Sequence, residues 1–454
     1  MHRKLVLPAL VAAALTAGGV LVAASPAPAA TGGTISVAFQ KFGTNTTLPA
    51  LLQKAATEFA AKYPGWKVNL EPIVAPENAY YTKMDLMSSS ASTAPDVLYE
   101  DTFLVNSDVA AGFLAPIDSY AKAWPDWKQY SPAAQAAARG ANGHIYGVSM
   151  GTDTRGLYYN KQLLAKAGIA VPWQPKTWAD VVAAAQAIKK ADPGVIPINV
   201  YSGVAPGEAT TMQGFEMFLY GTNNPLFDYS TGKWEMAGAG FTAALGAFKT
   251  LFTGGLAETP QDVAGTTWGN QVPVLLSQSK LAIDLDGSWV ASDWAPAPAG
   301  SAPWPQWSKV MGEAAMPTEN GQTPGKVSMS GGWLLSIGSH TVNKQMAFNF
   351  ITIALDYQNS LFYDIGAGQV ATRADVAATP SYKNANASVS AFSSYVPFTH
   401  FRPAFTDYPK LSNEIQLITG QIMTGQATPA QGAASYNKYL VGLVGQSATE
   451  AAPM

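Results

Sequence analysis

Between Thr34 and Asp101 the chain switches repeatedly between a two-residue and a 3.6-residue hydrophobic period, and this constrains the fold more than any other feature. Residues 34–39 (TISVAF) alternate as a strand does. Residues 48–63 place Leu51, Leu52, Ala55 and Phe59 at helical spacing, and Pro64-Gly65 stops the pattern. Residues 67–73 (KVNLEPI) alternate again, residues 80–90 read as a helix, and Ala94-Pro95 leads into a buried strand, DVLYED. Strand–helix–strand–helix–strand predicts an open α/β sheet with binding sites at strand carboxyl ends. Asp101 stands at such an end.

Ahead of this lies MHRKLVLPALVAAALTAGGVLVAASPAPAA: a basic start, an apolar run to about Ala24, then Ala27-Pro28-Ala29 fitting a small-x-small cleavage rule. It reads as a secretory signal peptide (residues 1–30) cut near Ala29 or Ala30. A retained anchor is the competing reading, but the run is Ala/Gly-rich and has no basic stop-transfer flank. Loss of Arg3 and Lys4 takes the 27 basic residues to 25 against 30 acids, a mature net charge of −5. No block of either sign stands out, which argues against nucleic acid or anionic lipid as the main partner. Charged residues are only 13% of the chain, yet it carries 12 Trp and 19 Tyr. Most of these rings belong in a core, but such an exported chain suits an uncharged ligand with flat apolar faces. With no cysteine, disulfides, thiolate catalysis and Cys-type zinc sites are excluded. About 424 mature residues exceed one hydrophobic core and predict two domains.

Further on, residues 161–167 read as a helix, and Thr177 with Asp180 forms a capping-box-like start to a long helix ending near Asp192-Pro193-Gly194. Residues 196–201 read as a strand, 212–220, 240–251 and 268–277 as helices, and 280–286 (KLAIDLD) as a strand ending at Gly287-Ser288-Trp289. Residues 295–305 look like a surface loop, Gly331-Gly332-Trp333 turns into another β-run, and the chain after Asn343 is mostly helical. The tail 446–454 is small and polar and is expected to fray. Residues 143–161, GHIYGVSMGTDTRGLYYNK, place an acid and a base between two β-prone runs, as a crossing between two structural units would.

Several segments, in order over nearly the whole mature chain, together resemble the sugar-binding extracellular solute-binding proteins that feed bacterial ABC importers, the maltose- and trehalose-binding type. PDVLYED followed by AAGFLAPIDSY matches that family's P-D-V…G-x-L-x-P-[LI]-D motif, and GHIYGVSMGTDTRGLYYNK its hinge. PKTWADVVAAAQAI, KLAIDLDGSW, GGWLLSIGSHTVNKQMAFNFI and GQVATRADV match later segments. Ser149 and Ala371 stand where the family usually has proline, and the lipid-bearing cysteine that often tethers such proteins is absent. The resemblance implies an α/β, two-lobe periplasmic-binding-protein-like fold (type II), with a cleft between lobes joined by crossing hinge strands. The N-lobe is expected over residues 31–150 plus 288–328, the C-lobe over 151–287 plus 329–454. Closure about the hinge around ligand is the expected motion.

The resemblance also implies roles for particular residues. Asp101 and Asp153 match sugar-binding acids, since a carboxylate can accept from two adjacent hydroxyls. Arg155 forks onto hydroxyls or orients Asp153, and Arg373 matches a late arginine that reaches the cleft. Read from the residues themselves, Trp289 and Trp333 follow glycine turns that allow close backbone approach, Gly332 among them, and an indole can cover the C–H face of a pyranose. Trp268 is a further platform or a core ring, Asp286 a contact or a turn cap, and Gln40 and Asn45 are polar groups after the first strand. Enzyme readings fare badly: the four histidines lack metal spacing, and there is no nucleophile elbow, H-E-x-x-H or P-loop. The expectation is a monomeric, non-enzymatic carbohydrate binder that needs no cofactor or metal, acts outside the cell membrane and delivers to the permease of an ABC importer. The alternatives are a secreted glycoside hydrolase using Asp101 and Asp153, or a same-fold binder of peptides or polyamines. Polyamine capture needs more cleft acid than the sequence singles out.

Overall fold

The computed structural model describes residues 32–43, 45–222, 224–265, 267–297, 299–385 and 387–453. The expected signal peptide lies outside the described residues. Strands Gly33–Gln40, Trp66–Ile73 and Val97–Asp101 form the parallel half of a five-stranded sheet, as the alternating periods require. Between them, helix Thr47–Lys62 buries Leu48, Leu51, Leu52, Ala55 and Phe59, and Phe59 meets Phe350 edge-on at 6.0 Å. The sheet order is 66–73, 33–40, 97–101, 333–337, 147–149. Strand Trp333–Ile337 runs antiparallel to both neighbours and sets Trp333 opposite Asp101. One hydrophobic core forms around this sheet, and helices Lys344–Ala354 and Tyr357–Gly366 contribute to it.

A four-stranded sheet carries the second core, in the order 311–314, 155–160, 281–287, 196–199. Strand Arg155–Asn160 pairs antiparallel with Leu281–Gly287, with Arg155 opposite Gly287 and Gly156 opposite Asp286. Helix Trp178–Ala191 starts with the anticipated capping box: Thr177 Oγ1 accepts from the Asp180 amide at 3.2 Å, and the Asp180 carboxylate accepts from the Thr177 amide at 3.0 Å. The segment read as helix from Met212 begins instead as a π-helix, Thr210–Phe215, a wide turn that often marks functional sites.

Two expectations need correction. Residues 288–328 do not join the first lobe, because strand Met311–Ala314 pairs with Arg155–Asn160 and so belongs to the second sheet. Gly312 makes that pairing fit, since a Cβ there would stand 2.4 Å from the Tyr159 ring. Nor do residues 329–454 stay together: strand 333–337 inserts between 97–101 and 147–149, and Arg373 is tied to the first lobe through Asp126 and the Leu355 carbonyl. Helices Tyr408–Met423 and Pro429–Val444 return to the second core. The tail is also more ordered than its composition implies: Thr449–Glu450 pairs with Trp234–Glu235, and Thr449 is buried. Among the described residues no helix is long and apolar enough to cross a membrane.

Candidate functional site

Two stretches cross between the sheets side by side, and a third lies against them. Residues 150–154 leave strand Gly147–Ser149, residues 331–332 enter strand 333–337, and Val370 exchanges two backbone hydrogen bonds with Thr152, at 2.9 and 2.7 Å. Gly151 (φ +141°) and Gly332 (φ +151°) occupy backbone geometry that side chains rarely adopt. A Cβ on Gly332 would stand 2.9 Å from the Gly151 carbonyl oxygen, so the crossings touch backbone to backbone.

Beside these crossings lies a cavity of about 480 Å³ between the lobes, within the roughly 300–1,000 Å³ usual for small-molecule sites. Gln40, Asn45, Asp101, Asp153, Arg155, Asp286, Trp289, Gly332 and Trp333 all line it. Trp333 stacks on Tyr99 (centroids 4.3 Å apart, planes 8° apart) and meets Phe42 edge-on at 5.7 Å, leaving part of the indole exposed on the first-lobe wall. On the second-lobe wall, partly exposed Trp289 lies 4.7 Å from the Arg155 guanidinium, a cation–π contact.

The charged groups hold one another. Asp153 accepts from the Arg155 guanidinium and, at 2.8 Å, from the Gly331 amide, so it fastens the first crossing to the second. Arg155 also donates to the Met329 carbonyl at 3.3 Å, while its buried Nε has no partner. Asp101 accepts from Tyr81 Oη at 2.8 Å and Arg402 Nη2 at 2.7 Å. Arg402 Nη1 reaches Glu208 at 3.1 Å, so one buried guanidinium joins a first-lobe acid to a second-lobe acid. Burial pushes both carboxyls up, and Arg402 pulls them back. Asp286 accepts from Tyr201 Oη (2.8 Å) and the Gly287 amide (2.7 Å), and burial pushes it up to about 6 against those bonds.

Two sequence candidates lie elsewhere. Arg373 is buried against the first lobe, bidentate on Asp375 at 3.1 and 2.7 Å and bonded to Asp126 at 3.0 Å and the Leu355 carbonyl at 2.8 Å. Its fork is spent on structure and does not line the cavity. Trp268 is a core ring: its indole turns beneath its helix to donate to Asn199 Oδ1 at 2.8 Å, leaving Thr267, Gly269 and Asn270 at the cavity. Sequence reasoning missed Glu77, Tyr201, Glu208, Met212, Asp293, Gln369 and Arg402. A signal existed for Arg402, one of only five arginines in the chain and set among aromatics in HFRPAF.

Buried acids give the molecule a distinctive pH response. Burial pushes Asp108 up to about 7, beside Glu100, which also rises, and Glu216 up to about 8 despite its bond from Tyr408. Unfolded, these acids ionise near pH 4. Between about pH 4.5 and 8 the unfolded chain therefore sheds protons that the native state keeps, and stability falls as pH rises. The exposed acids held low, Asp180 by backbone amides and Asp192 by Lys166, act only below that window. Calorimetry should show a higher Tm at pH 5 than at pH 8, with the slope flattened by Glu216→Gln. A Tm that climbs from pH 5 to 8 would contradict this account.

Known proteins share this two-lobe fold. The family described as bacterial extracellular solute-binding protein matches residues 43–360. Among curated proteins, the arabinooligosaccharide-binding protein of Bacillus subtilis (strain 168) is 26% identical over 138 residues, a stretch spanning 29% of this chain and only 30% of that relative. The GacH receptor of Streptomyces glaucescens GLA.O, solved unliganded and with acarbose, superposes with a TM-score of 0.78 at 23% identity, covering 91% of this chain and 99% of its own. Maltose-bound MalE3 of T. maritima gives 0.76 at 23% identity, over 90% and 100%. The structural likenesses establish the two-lobe fold, and the family match extends from the first lobe through the cavity walls to helix Tyr357–Gly366. The chain belongs to the bacterial extracellular solute-binding protein family.

Proposed function

We propose that this chain captures a saccharide by closing its two lobes and delivers it to the membrane permease of an ABC importer. The observation that carries the reading is the pair of partly exposed indoles, Trp333 and Trp289, contributed by different lobes to one cavity lined with hydrogen-bond acceptors. Indole faces cover the C–H faces of a sugar ring, and carboxylates such as Asp101 and Asp286 accept from its hydroxyls in a water-poor space. The names of the relatives, arabinooligosaccharide- and maltose-bound among them, support the same ligand class. Contacts between the lobes, such as Asn78 Nδ2 to Gln416 Oε1 at 3.3 Å, would form on closure and break on release. The protein acts as an exported monomer and makes or breaks no bond in its ligand. Asp101 and Asp153 are each held by an arginine, whereas a glycosidase acid must keep a proton to give.

A thermal-shift screen against mono- and oligosaccharides, followed by calorimetric titration, tests the reading, because a ligand bound only by the native state raises Tm. Stoichiometric binding with the sugar recovered intact is the expected result. No shift with any sugar, or conversion of a glycoside that stops on Asp101→Asn, would sink it. Trp289→Ala is expected to weaken binding by more than about tenfold, if ring contact contributes roughly 1–2 kcal/mol. Unchanged affinity would make that indole a packing group.

A further inference from the structure

We infer that the saccharide taken by this cavity carries a protonated amine, held at the wall formed by Glu77, Asp101 and Glu208; the inference rests on the saccharide reading of the same cavity. Six carboxylates line the space: those three with Asp153, Asp286 and Asp293. Only two guanidinium groups face them. Arg155 is taken by Asp153, and Arg402 is forked between Asp101 and Glu208. Lys41 also lines the cavity, but among the described residues no ion pair involves it. Three of the six carboxyls, Glu77, Asp286 and Asp293, therefore have no cation of their own. Asp286 and Asp293 are served by neutral donors, Tyr201 and the Gly287 amide for one and Ser301 at 2.6 Å for the other.

Glu77 differs from the rest. It is partly buried, and no hydrogen bond or ion pair reaches its carboxylate among the described residues. The charges it feels are Asp101 and Glu208, which repel it, and Arg402 and Arg155, both already paired; burial is the largest influence and raises its carboxyl. A second observation comes from the same stretch of wall. Gln40, only 3% exposed, donates through Nε2 to the Ala75 carbonyl at 3.0 Å, two residues before Glu77, and its buried Oε1 has no partner. At this stretch of wall the Glu77 carboxyl and Gln40 Oε1 are therefore acceptors to which no donor is bonded among the described residues. A sugar hydroxyl donates once and brings acceptors of its own, whereas an ammonium brings three donors and none. Position at the start of helix Glu77–Ser88 would favour an acid by itself, but it leaves Gln40 Oε1 unanswered. The structure thus supplies the cleft acid that the sequence did not single out. The two indoles keep the amine on a ring and not on a bare polyamine.

The test is titration calorimetry of the mature protein with saccharides in matched free-amine, N-acetylated and hydroxyl forms, at low and high salt. The amine form is expected to bind at least about tenfold tighter than its neutral partners. Salt should shrink that ratio, and Glu77→Gln should shrink it with Tm preserved. Equal or tighter binding of the neutral forms overturns the inference and leaves saccharide capture standing. An amine preference undiminished in Glu77→Gln overturns the assigned wall. Binding of spermidine with no saccharide, or of none of these compounds, overturns both readings.

Discussion

Arg402→Met is expected to lower the unfolding free energy by about 3–5 kcal/mol, the usual cost of removing one partner from a buried ionic group. The Arg402 side chain is 4% exposed, and the Asp101 and Glu208 side chains are 4% and 6%. Without the guanidinium, two carboxylates from opposite lobes face one another in a space too dry to screen them. Arg402 also lies 4.0 Å from the centre of the Phe103 ring, a stacking contact that methionine retains only in part. Arg402→Lys should recover a fraction of the loss, because an ammonium cannot fork to both acids. Adding Asp101→Asn to Arg402→Met should return part of the stability by removing the repulsion, a coupling that a double-mutant cycle reads directly. Urea denaturation of the four proteins is the measurement. A midpoint unmoved by Arg402→Met would mean that the triad is solvated and holds nothing together.

Trp333→Ala should combine a stability loss of about 3 kcal/mol with a loss of sugar affinity beyond tenfold. The lower end of the usual range for Trp→Ala applies because the ring is only partly buried. Its indole stacks on Tyr99 and touches Tyr80, Tyr81 and Phe42 at centroid distances of 6.1, 6.2 and 5.7 Å, so one side is core and the other is cavity wall. Trp333→Phe keeps the stack on Tyr99 and should restore most of the stability but less of the affinity. Denaturation and titration on the same three proteins separate the two roles. Stability lost with affinity intact would leave Trp333 a packing residue.

How far the sequence could be read depended on the range of the interaction involved. The first sheet was legible because its strands and helices alternate in period within a few residues, and a helix stop such as Pro64-Gly65 acts locally. The Thr177–Asp180 cap was legible for the same reason, since both partners sit within one turn. Asp101 could be named because the end of a parallel strand is a site in any open α/β sheet. Arg373 and Trp268 were misread because an arginine or indole near a cleft-forming segment looks the same whether it turns inward or outward. Arg373 has one local partner, Asp375, but the Asp126 that ties it to the first lobe and the Asn199 that takes the Trp268 indole are 247 and 69 residues away. The lobe boundary failed in the same way: strands 311–314 and 333–337 are both short and apolar, and only pairing to Arg155–Asn160 or to Val97–Asp101 assigns them.

The alternating periods between Thr34 and Asp101 determined by themselves that the chain would build an α/β sheet with an acid at a strand end, because hydrophobic period and turn chemistry act over a few residues. Which carboxylates meet, and what neutralises them, was decided only by the tertiary structure. Arg402 lies 301 residues beyond Asp101 and 194 beyond Glu208, and no local pattern encodes a contact at that range. Their meeting depends on the chain crossing between lobes, where Gly151 and Gly332 let the backbones touch. The fold class is thus a property of local sequence, and the charge balance of the cavity is a property of how the two lobes come together.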